Sequence, residues 1–285
     1  MSGVSVLLAG LSALMYGAGD FCGGLASRRT PLFAVLVFSQ LVGLLIAVSA
    51  ALALRQGLPA PADILWGAAA GVCGAAGLAA LYRALATTPV AVASPVAAVT
   101  GSVIPVLIGL ALGERPGALA WAGMGLAVPA IVLLAASPAA SPADHPRKRI
   151  ARGAILLGTA AGVGFGIFFF AISRTSSASG LWPLAAARLA TITLVVFAAV
   201  LTRRSLRPSR GGLLIVLLCG ALDMGANIAF LLAARIGLLS ITAVVTSLYP
   251  GPTVLLALLV YRERLTVPRV LGLTLALAGV ALISV

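Results

Sequence analysis

The chain has 285 residues, 61% of them hydrophobic and only 9% charged, with mean hydropathy +1.17 and formal net charge +13. A soluble domain carries roughly 25% charged residues, so this chain lacks the charge to cover a water-facing surface. A nucleic-acid binder needs a continuous cationic face, whereas these arginines fall in the gaps between apolar runs, so nucleic acid is not an expected partner.

Ten apolar runs follow one another, at 4–24, 33–54, 64–82, 90–112, 117–136, 153–173, 182–202, 212–234, 238–261 and 267–285. Each approaches the roughly 20 residues that a helix needs to cross the hydrocarbon. Barrel strands would be alternating segments of about 10 residues, so an all-α membrane protein with ten transmembrane helices is expected. The first run lacks a basic leader and reads as a retained span, not a cleaved signal. Between the fifth and sixth runs lies SPAASPADHPRKRIAR (137–152), rich in Pro, Ser and Ala with a basic end. Such a composition marks a linker. The expected division is a first five-helix repeat at 1–138, a polar linker at 139–152 and a second repeat at 153–285.

Cys22, Cys73 and Cys219 lie in apolar runs without paired spacing, and the single histidine, His145, lies in the linker. They read as small buried residues and a solvated side chain. No metal and no cofactor are expected.

Shifting the chain by 149 positions aligns its halves. Leu107 meets Leu256, Glu114-Arg115 meets Glu263-Arg264, Gly123 meets Gly272, and Tyr16-Gly17 meets Phe165-Gly166. Five spans per half is an odd number, so the second half enters the membrane from the opposite side. Inverted repeats of this kind build transporters whose site lies near the midplane, where the halves meet.

These residues resemble the drug/metabolite transporter superfamily, in its EamA-type branch. The stretches that carry the resemblance are YGAGDFCGGLASRR (16–29), LGERP (112–116), TSLYPGPTVLLALLVYRERL (246–265) and GLTLALAGVALIS (272–284). The resemblance implies two five-helix repeats around a central cavity. It also implies a secondary transporter of small organic metabolites, amino-acid-like or drug-like. A multi-pass protein of a bacterial inner membrane is expected, as monomer or homodimer, with lipid and a small-molecule substrate as partners and protons as the candidate coupling ion. Export is the expected direction; a passive channel or a lipid flippase is the alternative.

A charge at the bilayer centre costs at least about 2.5–3.5 kcal/mol, so the intramembrane Asp20, Arg188 and Asp223 should face protein or a wet cavity. Asp223 and Asn227 are four apart and share a helix face, as do Tyr16 and Asp20. They are candidates for substrate binding or coupling; an interhelical hydrogen bond or a structural pair with Arg188 is the alternative for Asp223. Arg188 is read either as an anchor for an anionic group or as the neutraliser of an aspartate. Tyr249, Thr100 and Phe165, related by the repeat to one another or to Tyr16, are further candidate cavity residues. Ser94, Pro95 and Pro105 in the fourth span, and Pro250 in the ninth, are expected to interrupt two equivalent helices, because proline removes a backbone hydrogen bond. Glu114 and Glu263 sit at span ends and are expected to cap and orient the helix that follows each. Six scattered acids and one histidine make no catalytic cluster, so an enzyme is not expected. Of the nineteen basic residues, fourteen fall in loops on one side and four on the other. The positive-inside rule then places both termini outside.

Overall fold

The computed structural model describes residues 3–27, 30–87, 90–135, 147–209, 211–261 and 266–284. The helices are α1 (Gly3–Ser27), α2 (Leu32–Ala53), α3 (Pro61–Thr87), α4 (Val90–Ala111), α5 (Ala118–Ala135), α6 (Arg147–Ser173), α7 (Trp182–Leu201), α8 (Leu213–Ile236), α9 (Leu239–Thr246), α10 (Pro250–Tyr261) and α11 (Val267–Ser284). Six of them, α1, α2, α3, α6, α7 and α8, are long and apolar enough to cross a membrane; shorter apolar stretches occupy Val96–Ala111, Ala118–Leu134 and Val267–Ile283. Leu7, Leu45, Leu65, Phe197, Leu214 and Leu259 stand exposed around the bundle, as a lipid-facing surface requires.

The expected ninth span is two helices. α9 ends at Thr246, two tight turns follow, and α10 starts on Pro250, which needs no N–H at a first helical position. The matching interruption of the fourth span does not form: α4 runs unbroken past Pro95 and Pro105. Spacing explains the difference. Pro250 and Pro252 remove two nearby donors and restrict Tyr249, whereas the prolines of α4 are ten residues apart and Pro105 is fully buried against protein. The side chains of Ser94 and Pro95, and all of Glu263, lie outside the described residues.

Most of the large contacts run between halves, and they come in equivalent pairs. α1 packs on α8 as α6 packs on α3; α9 and α10 lie on α1 as α4 lies on α6; α8 lies on α2 as α3 lies on α7; α2 meets α7, and α5 meets α11. Small residues set these crossings, because lipid tails supply little hydrophobic drive and close van der Waals approach must hold the helices. A Cβ at Gly17 would stand 2.5 Å from the Tyr249 carbonyl oxygen, and one at Gly166 would stand 2.6 Å from Ile104 Cβ. Gly71 meets the backbone of Ala187 as Gly220 meets that of Ser39. Ser39 and Ala187 are 148 positions apart, as are Arg55 and Arg203, whose positive φ values of 50° and 52° follow the ends of α2 and α7. Within α2 and α7 the repeat therefore slips by one residue from the 149 read in the sequence.

One end of the bundle is tied by polar groups. Asp63, buried in the first turn of α3, accepts hydrogen bonds from Ser176 N (3.0 Å), Ser176 Oγ (2.6 Å) and Ser179 Oγ (2.5 Å). Arg235, at the end of α8, donates to the Ser176 and Gly180 carbonyls, and Leu181 N donates to Gln56 Oε1 at 2.7 Å. At the other end Thr30 and Ser209 share a 2.9 Å hydroxyl contact.

Candidate functional site

Arg188 is 6% exposed inside α7. Its Nη2 lies 2.6 Å from Asp223 Oδ2 of α8, and its Nη1 donates to Gln40 Oε1 of α2 at 2.7 Å. The Nη2 approach is off the N–H direction, since that atom completes no hydrogen bond; at this separation the contact is an ion pair. Under the one-residue slip, Arg188 and Gln40 are equivalent positions meeting where α2 crosses α7. A buried charge without a partner costs several kcal/mol. Here one guanidinium is held by groups from two other helices.

Asp223 is not fully enclosed; its side chain is 28% exposed. Its open part and the exposed Asp20 of α1 leave this corner of α1, α7 and α8 accessible, and that corner is termed the hollow. Gly19 lets α1 close on α8, so that a Cβ there would stand 3.5 Å from Asp223 N. Asp20 is exposed, yet Asp223, Tyr16 and Tyr249 lie within electrostatic reach of it, as does Cys219. Its exposure among such neighbours sets it apart from the packed core. Asp20 pairs with no basic group among the described residues, so the hollow holds two carboxylates against one guanidinium. Tyr16 meets Phe169 edge-on at 6.2 Å and Tyr249 at 6.4 Å between ring centroids, and Phe169 packs on Phe230 at 4.4 Å.

Asn227 shares the inward face with Asp223, as the spacing implies, but its amide is engaged locally. Nδ2 donates to the Asp223 carbonyl at 2.7 Å, and the buried Oδ1 has no donor among the described residues. The break between α9 and α10 is fastened to α1 by Thr253, whose hydroxyl bridges the Gly17 and Tyr249 carbonyls at 3.0 Å each.

Thr100 and Phe165 do not join this cluster. Thr100 packs against Gly162, and Phe165 against Gly77 and Gly101, in the corner formed by α3, α4 and α6. The repeat alignment identified their positions but not their neighbours. Glu114 also differs from expectation. Its carboxylate accepts from Leu239 N (2.6 Å) and Ser240 N (2.9 Å), capping α9 of the other repeat rather than the following α5. Free N–H groups at a helix start attract an acceptor, and α9 presents them beside the loop that carries Glu114.

Gln40, Phe169, Thr253 and Asp63 are the contributors that sequence reasoning missed. Gln40 alone had a usable signal, as a lone amide inside an apolar run. A separate groove of about 210 Å³, lined by Ser102, Trp121, Met124 and Val244 among others, is mostly apolar and holds none of these charges. A solute site needs a few convergent polar groups, and these converge at Asp20, Arg188 and Asp223.

The model of the EamA-like transporter family matches residues 3–136 and again residues 152–285. The chain belongs to the EamA-like transporter family. The two matches fall on the two repeats. A solved structure described only as a crystal structure of a protein is similar over 98% of this chain and 96% of its own, at 21% identity and a TM-score of 0.78; that likeness concerns the fold. No curated protein matches the chain. As an EamA-like chain it is a multi-pass membrane transporter of small solutes.

Proposed function

We propose that this chain is a secondary active transporter that carries small organic metabolites by alternating access around the hollow at Asp20, Arg188 and Asp223. One observation carries the reading: an ion pair and an open carboxylate gathered from α1, α7 and α8, inside helices that otherwise present leucine and phenylalanine to lipid. Ionisable groups that are costly in a membrane mark a solute or proton path.

In this proposal ten helical segments thread the bilayer as two inverted repeats, so equivalent contacts at the two ends exchange between states. The end bound by Asp63, Arg235 and Gln56 is the closed one. Asp20 lies seven residues from the far end of α1, so the hollow communicates with the opposite end. That opposite end carries the fourteen basic loop residues. By the positive-inside rule it is cytoplasmic in a bacterial inner membrane. Both termini are then outside, and the hollow is open to cytoplasmic solute, as export requires. Protons are the proposed coupling ion, exchanging at the carboxylates.

The experiment is reconstitution into liposomes with and without a proton gradient. Movement of metabolites that follows the gradient, and is lost in Asp223→Asn while the protein still inserts, supports the reading. Gradient-independent movement, or normal coupling in that variant, rejects it. A reporter active only in the cytoplasm, fused to the C-terminus, should be silent; a strong signal reverses the orientation.

A further inference from the structure

We propose that the hollow selects solutes bearing a protonated amine, with Asp20 as their counter-charge. This rests on the transporter reading above and deepens it.

The argument is one of charge availability. An anionic solute needs an open cation, and among the described residues the cation placed in the hollow is Arg188. Its guanidinium is 6% exposed, with Nη2 against Asp223 and Nη1 on Gln40. Reaching an anion would mean breaking the ion pair and leaving Asp223 uncompensated, which is costly in a low-dielectric site. Asp20 is the reverse: accessible, unpaired with any basic group among the described residues, and next in sequence to Gly19, where a Cβ would stand 3.5 Å from the backbone N of a second acid, Asp223. Two carboxylates and one guanidinium leave the hollow one positive charge short. A protonated amine or a proton on a carboxylate supplies it, so amine and proton compete for the same place, while an anion adds repulsion.

The walls suit the same class. Tyr16 and Tyr249 lie within electrostatic reach of Asp20, and Tyr16 meets the Phe169 and Tyr249 rings edge-on. Aromatic rings attract cations through their quadrupole, most strongly where water is thin, and offer apolar surface to the carbon skeleton of the solute. Arg188 is thereby a positioning residue, which holds Asp223 facing the hollow.

The test uses the purified full-length protein and probes matched in skeleton but opposite in charge: benzylamine with benzoate, and tyramine with 4-hydroxyphenylacetate. Thermal stabilisation is titrated at millimolar ligand. The amines should raise Tm and the carboxylates should not. Asp20→Asn should weaken amine binding by about tenfold to a hundredfold, the range of a lost charge-assisted contact, and Asp20→Glu should restore most of it. The Tm of each variant without ligand shows that it folds. Carboxylates stabilising as well as amines, neither amine binding, or Asp20→Asn binding amines like the parent each overturns the assignment. Liposome flux separates the two levels. Amines that bind at Asp20 but never cross remove the transporter reading alone; anions driven by the gradient remove the amine assignment alone.

Discussion

The α1–α8 crossing and the α6–α3 crossing occupy equivalent places in the two repeats, yet differ in chemistry. Gly19 faces Asp223 in the first; in the second, Phe168 faces Gly74, at 3.2 Å from where a Cβ would stand. Asp20 has Phe169 as its equivalent, and Tyr16 has Phe165. The backbone packing is repeated, while the cluster of Asp20, Arg188 and Asp223 has Phe169, Gln40 and Gly74 at its equivalent positions. Duplication thus serves the mechanics of the bundle, and recognition is left to a single asymmetric site. The axis shows the same division, since Arg188 and Gln40 are equivalent but only one is charged.

The largest expected effect breaks the comparison by removing the charge. Asp223→Asn should abolish gradient-driven transport in liposomes, whereas Gly74→Ala at the equivalent position should keep it, with a stability change of about 1 kcal/mol as the Phe168 ring gives way. Transport lost equally in both would mean that both corners work. Next, Arg188→Met should destabilise the fold by about 2–3 kcal/mol in denaturation. That is below the range for a fully buried pair, because Asp223 is 28% exposed. Adding Asp223→Asn should recover part of the loss. Gly71→Ala and Gly220→Ala each push a Cβ into a neighbouring backbone, and should cost similar amounts, about 1–3 kcal/mol. Unequal costs would show that the two crossings are not mechanically alike. The smallest effect is Glu114→Gln, which keeps one of the two acceptors for α9 and removes the charge, for about 1 kcal/mol by thermal shift.

The overall plan was legible in the sequence because lipid imposes a simple length rule on apolar runs, and because a Glu-Arg pair recurring in register is rare in such a composition. Asp223 and Arg188 stood out for the same reason, as charges where charge is expensive. The sequence does not decide their pairing, since it depends on how α7 and α8 are rotated, which α2 also decides. Thr100 and Phe165 stand apart from the cluster of Asp20, Arg188 and Asp223 because sequence equivalence fixes a position in the fold and says nothing of its chemical neighbours. The unbroken α4 teaches the same caution. A proline breaks a helix where a second proline and a free turn accompany it, as at Pro250 and Pro252, and not where packing encloses it, as at Pro105. Asp63 read as part of a connection, because its three donors come from residues more than a hundred positions away.

The cap on α9 has a consequence for biogenesis. Leu239 and Ser240 take their acceptor from Glu114, made more than a hundred residues earlier on the ribosome. The C-terminal segment therefore emerges after the residue that caps it has been made. Cut at the linker and produced as two polypeptides, the later piece should be degraded when made alone and rescued when the earlier piece is supplied beside it.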